Sequence, residues 1–209
     1  MSHSLHRRGT CQSLKDDFVI LITPSVDINH KDAGPKLRKA LEVITDVGPI
    51  NIGSYETGTV YTGVTVEDIC NNMPETPRVR CCFDGKEKML EVLRRIKELD
   101  LGLSVVVSGL NEDVLDMAKA LDIKPHSVNY SLGIHGRTEL LPPEEVLEFI
   151  TMCGHGMVSK QLVIQQIQAV RKGKKSIHDA AVTIAQPCVC GIFNVARAER
   201  MLQKYCVGE

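Results

Sequence analysis

The sequence predicts an α/β fold: a mostly parallel sheet with helices on both faces, followed by a helical C-terminal region. Two observations predict it. Between residues 78 and 132, short apolar runs alternate with segments of helical period. Strand–helix–strand repetition with continuously apolar strands is the pattern of right-handed crossovers in a sheet covered on both sides. After Leu141-Pro142-Pro143 the apolar period is helical throughout. The expected organisation is an N-terminal arm (residues 1–15), an α/β layer (16–140) and a helical region carrying cysteine motifs (141–209).

Each element has its own signal. Asp17-Phe18-Val19-Ile20-Leu21-Ile22-Thr23 is β-branched and apolar, stops at Pro24, and reads as a buried strand. Leu37, Leu41, Ile44 and Val47 then recur at helical spacing, with Pro35 in the first turn and Gly48 at the end. Residues 49–63 place β-formers between Gly53, Gly58 and Gly63, predicting strand, turn and strand. Thr65 and Asp68 are spaced as a capping pair for a short helix, which the Pro74–Pro77 segment stops.

Arg78–Phe83 reads as a strand, Lys86–Leu99 as a helix, and Leu103–Val107 as a strand. Asn111 is the expected cap of a helix carrying Val114, Ala118 and Leu121, and His126–Leu132 is a third strand. Helices follow over 144–152, 159–172, 176–186 and from Asn194 to Tyr205.

Composition narrows the function classes. The chain has 209 residues, 43% hydrophobic and 24% charged, with a net charge of −1, as expected for a globular domain rather than a polyanion binder. The densest basic cluster, Arg171, Lys172, Lys174 and Lys175, reads as a solvated helix end. Trp is absent and aromatics make up 4%, which argues against a base-stacking surface. No run reaches the roughly 20 apolar residues of a membrane span. The polar N-terminus lacks the apolar core of a secretory signal, so the expected location is cytoplasmic. His6, Arg7 and Arg8, with His3, make the N-terminal arm basic; such arms are commonly disordered, or reach over a site or onto a partner.

Eight cysteines are many for this length. In a cytoplasmic protein they are expected to be reduced, some as ligands. Two motifs stand out: Cys153-Gly154-His155-Gly156, and Pro187-Cys188-Val189-Cys190-Gly191. Cys153, His155, Cys188 and Cys190 supply three thiols and an imidazole. That donor set suits four-coordinate zinc and equally an iron–sulfur cluster. Two helices between the motifs could run out and back, with Gly173 at the distant turn, and so bring the pairs together. The vicinal pair Cys81-Cys82 lies on a strand, so at most one of the two faces such a site.

A second candidate is the loop Gly133-Ile134-His135-Gly136-Arg137. His135 can be presented by the flanking glycines, and Arg137 can bind a carboxylate or phosphate. The loops after Phe83 and Ser108 offer weak anion sites for a small-molecule ligand and match no phosphate-binding fingerprint.

The leading expectation is a cytosolic metal- or iron–sulfur-binding protein, redox-active or metallocofactor-handling if a cluster is held. One alternative is a metal-free enzyme with Cys153 or Cys190 as nucleophile and His155 or His135 as its acid–base partner. The other is an assembly protein with buried cysteines. A protein partner or homodimer is expected, and no nucleic acid or membrane.

Overall fold

The computed structural model describes residues 2–74 and 77–207, so Glu75 and Thr76 of the predicted 74–77 stop, and the His3 side chain, lie outside the described residues. The elements are helix α1 (Cys11–Leu14), strand β1 (Phe18–Thr23), helix α2 (Ala33–Val47), strands β2 (Asn51–Ser54) and β3 (Gly58–Thr59), helix α3 (Val66–Asn71), strand β4 (Val79–Phe83), helix α4 (Lys86–Leu99), strand β5 (Ser104–Ser108), and helices α5 (Asn111–Ala120), α6 (Glu144–Cys153), α7 (Lys160–Arg171), α8 (Ile177–Ala185) and α9 (Val195–Cys206).

The sheet is antiparallel, which corrects the expected mostly parallel arrangement. Its order is β3-β2-β4-β1-β5, and every neighbouring pair runs antiparallel. The crossovers themselves are present. Strands β1 and β2, joined through α2, point the same way, as do β4 and β5, joined through α4. However, β4 lies between the first pair and β1 lies between the second. This is the interleaved β-α-β-β-α-β topology of ferredoxin-like sheets, a statement about strand order that carries no cofactor with it. Apolar period shows which strands a helix connects. It does not show what sits between them.

Alternation along the strands divides two cores. Phe18, Ile20, Ile22, Ile52, Cys81 and Phe83 face one side, against Leu37, Leu41 and Ile44 of α2 and Met89, Leu93 and Ile96 of α4. Val19 and Cys82 face the other, where Phe149, Met152, Val163, Ile184 and Leu202 of the C-terminal helices cover the sheet. The second face therefore carries the cysteine region.

The third predicted strand, 126–132, is another correction. Residues 124–137 form neither helix nor strand and are exposed. The apolar residues Val128, Tyr130 and Leu132 recur at every second position and are 46%, 62% and 89% exposed. They have the strand pattern without a neighbouring strand to complete a ladder. Segments of this kind open first to proteases. Limited trypsin treatment should cut first after Arg137, because Pro125 blocks the bond after Lys124. A first cut within α7, α8 or α9 would contradict this arrangement.

Helix ends follow the sequence closely. Thr65 Oγ1 accepts from the Asp68 backbone N–H at 3.1 Å while Asp68 accepts from the Thr65 N–H at 2.8 Å, a reciprocal cap. Asn111 is the first residue of α5 rather than its cap, a position taken by Leu110. Helices α7 and α8 form the out-and-back hairpin, turned at Gly173 with φ +64°. Lys175 pins it by donating to Gln166 Oε1 at 3.0 Å and Thr183 Oγ1 at 2.6 Å.

The N-terminal arm is part of the folded body. It carries a 3-10 turn over Ser2–His6 and then α1. The Arg7 side chain is only 6% exposed. Arg8 donates its backbone N–H to Thr151 Oγ1 at 3.0 Å and pairs with Glu144 at 2.7 Å.

Candidate thiol and imidazole site

Cys153 is the last residue of α6. Gly154 follows in the left-handed conformation, φ +68°, and Gly156 repeats it at φ +72°. A side chain would strain both positions, so glycine permits the tight reversal. The reversal turns the backbone N–H groups of His155 and Met157 toward the Cys153 sulfur. The second motif begins where Pro187 follows the end of α8. Turn bonds from Cys188 N–H to Ala185 O at 2.9 Å and from Gly191 N–H to Cys188 O at 3.2 Å curl the loop back on itself.

The hairpin thereby brings the motifs together. Cys188 Sγ lies 3.8 Å from Cys190 Sγ, and Cys190 Sγ lies 3.7 Å from His155 Nδ1. Cys188 also acts directly on the Cys153 thiol, lowering its pKa. Cys188, Cys190 and His155 thus stand in a row, with Cys153 acting on Cys188. All three cysteines are buried, while His155 is exposed. Among the described residues, no group of three or more His, Cys, Asp or Glu side chains stands gathered as a complete metal-holding set. The four donors are linked pair by pair.

The electrostatics separate the thiols. The Cys188 S–H holds Cys153 well below the usual thiol range, against the opposing effect of burial, and the two loop N–H groups act in the same direction. Cys188, acted on by Cys153 and by Cys190 and further penalised by burial, is pushed far upward. The pair releases one proton readily and keeps the other. Cys82 also faces this side. It donates to Phe193 O at 3.5 Å, and burial pushes its thiol up. Cys81 lies in the opposite core.

The surrounding groups include two the sequence pointed to, Arg7 of the basic arm and the α9 cap Asn194, and others it did not, among them Asn51, Tyr55 and Arg80. Arg7 inserts from the arm and donates to the backbone oxygens of Met152 and Ile192, one beside each cysteine motif. Its guanidinium also pairs with Asp17, which is shared with Arg197 at 2.8 Å. Asn194 caps α9 by accepting from the Arg197 N–H at 3.0 Å and donates to Asp17 at 3.1 Å. Asn51 of β2 donates to Phe193 O at 3.1 Å. Tyr55 meets the His155 ring edge-on, with centroids 5.2 Å apart, and lies beneath the Arg80 guanidinium at 5.0 Å. Burial holds the Arg80 pKa below the ordinary guanidinium value.

His135 and Arg137 are placed elsewhere. Both are on the exposed 124–137 stretch and its end. His135 Nε2 contacts Leu132 O at 2.9 Å, and Arg137 pairs with Glu139 at 2.9 Å. Neither contacts the cysteine loops among the described residues. No helix among the described residues is long and apolar enough to cross a membrane. No protein-family model, curated protein or solved structure matches the chain.

Proposed function

We propose that the chain is a soft-metal or iron–sulfur protein whose centre is held by Cys153, His155, Cys188 and Cys190. The observation that carries this reading is the spacing of the donors. Two sulfurs sharing one tetrahedral zinc at about 2.3 Å lie about 3.8 Å apart, and a sulfur and an imidazole nitrogen about 3.6 Å apart. The corresponding distances here are 3.8 and 3.7 Å. Cys153 already favours the thiolate a metal needs. Cys153, His155, Cys188 and Cys190 would hold the metal, which would require Cys153 and His155 to close onto the Cys188–Cys190 pair. The backbone N–H groups at Cys153 then serve as hydrogen-bond donors to a ligand sulfur, a feature that tunes clusters and zinc thiolates alike.

Zinc would make the centre structural or hydrolytic. A cluster would make it redox-active or metallocofactor-handling. Protein purified without oxygen is expected to carry about one equivalent of zinc, or iron with sulfide. A broad brown absorption identifies the cluster, and a colourless zinc-containing sample identifies zinc. Cys188→Ser should abolish the bound metal, because it removes one of the four donors. Less than about a tenth of an equivalent of any transition metal, in protein never exposed to chelator, overturns the reading. If Cys188→Ser then costs only roughly 1 kcal/mol, the cysteines are ordinary core residues.

A further inference from the structure

Arg80 is a buried cation on which the exposed Glu56 acts without forming an ion pair. Strand alternation puts it on the same face of β4 as Cys82, toward the cysteine loops. The residue is 6% exposed, and its Nε is buried without a hydrogen-bond partner. No carboxylate lies within ion-pair distance of it among the described residues, whereas Arg7 and Arg197 share Asp17. Holding a guanidinium largely out of water without a carboxylate partner is destabilising. The Tyr55 ring at 5.0 Å offsets only part of that. Tyr55 in turn meets His155, which contacts Cys190.

We propose that Arg80 is the charge-compensating residue of an anionic thiolate centre at Cys153, Cys188 and Cys190. This rests on the metal-binding reading above and specifies the net charge of what is bound. Three thiolates and a neutral imidazole around a divalent ion leave one negative charge, and a thiolate-ligated iron–sulfur cluster is likewise anionic. One guanidinium balances that charge. Cys190 comes ahead of Tyr55 and Glu56 among the groups that raise the Arg80 pKa against burial. Arg80 thus acts through the ligands as a positioning residue.

The test uses cobalt(II) as the metal probe on the full chain, followed through its thiolate charge-transfer absorption, beside urea unfolding of the metal-free protein. Arg80→Met should weaken cobalt binding about 10–100-fold, the usual effect of losing a group that supports a ligand. The metal-free Arg80→Met protein should be at least as stable as the parent, because an unpaired buried charge has gone. Arg80→Lys, which keeps the charge, should bind cobalt within about threefold of the parent. Arg80→Gln carries the test if Arg80→Met fails to fold. Cobalt affinity unchanged in both neutral variants overturns the proposal while leaving the metal site standing. Metal-free variants destabilised in step with their lost affinity also overturn it, by assigning Arg80 a packing role. A parent protein that binds no cobalt overturns the metal-binding reading itself.

Discussion

Asp17→Asn is expected to destabilise the protein by about 3–5 kcal/mol, the cost of stranding buried charge. Asp17 has no exposed side-chain surface, and its two oxygens accept from Arg7 and Arg197, with side chains 6% and 1% exposed. Replacing the carboxylate leaves two cations close together. Glu148, 3.8 Å from Arg197, is then the remaining buried acid beside them. For a chain of this length the loss corresponds to roughly a 10 °C fall in Tm. The double variant Asp17→Asn/Arg7→Met should recover part of it, because one stranded cation is removed with the anion.

The pH dependence follows the same cluster. Burial alone would raise the Asp17 pKa, but Arg7 and Arg197 outweigh it and hold the carboxyl below its usual value. A depressed folded-state pKa gives stability that is complete above the unfolded value of about 3.9 and is lost as pH falls through the folded one. The difference between parent and Asp17→Asn should therefore be constant from pH 7 down to about 5. It should narrow below about 4, as Asp17 takes up a proton. Urea midpoints at a series of pH values measure this, and a difference that is flat to the lowest pH would show that Asp17 is not the titrating group.

This cluster was partly legible before the fold. Arg197 and Met201 are four residues apart on α9, and both are buried. A charge on an apolar helical stripe is a signal that it has a buried partner. The identity of the partners was not legible, because Arg7 and Asp17 lie about 180 residues away and meet Arg197 only after the sheet has closed. Arg80 shows the same limit. Its place inside Val79–Phe83 was readable as a charge in a strand, but the face it shares with Cys82 depends on which side the C-terminal helices cover. The cysteine loops were more legible, since the hairpin between them is local and its helices, cap and turn are all written in the adjacent sequence. Strand order was least legible: interleaving β4 between β1 and β2 is a long-range choice that no local period records.

Gly191→Ala is expected to cost about 3 kcal/mol or more and to disturb the cysteine loop itself. Gly191 sits at φ +77°, where a side chain alone costs roughly 1–2 kcal/mol. The larger obstacle is contact. A Cβ there would fall inside the van der Waals radii of Gly53 N and Ile52 C, and 2.8 Å from Gly53 Cα. All three are backbone atoms of β2, held in the ladder by pairing with β4. They cannot rotate away as a flexible side chain would, so the 187–194 loop must lift from the sheet. Lifting it moves Cys190, the residue next in line, away from His155 and weakens the Asn51 bond to Phe193 O. Gly191→Ala should therefore lose stability and bound metal together. Gly173→Ala is the control. Its φ of +64° carries the same backbone strain, but the added Cβ meets open space at the far end of the hairpin. That variant should lose roughly 1–2 kcal/mol and keep its metal. Equal effects from the two substitutions would show that the close approach of Gly191 to β2 does not hold the loop.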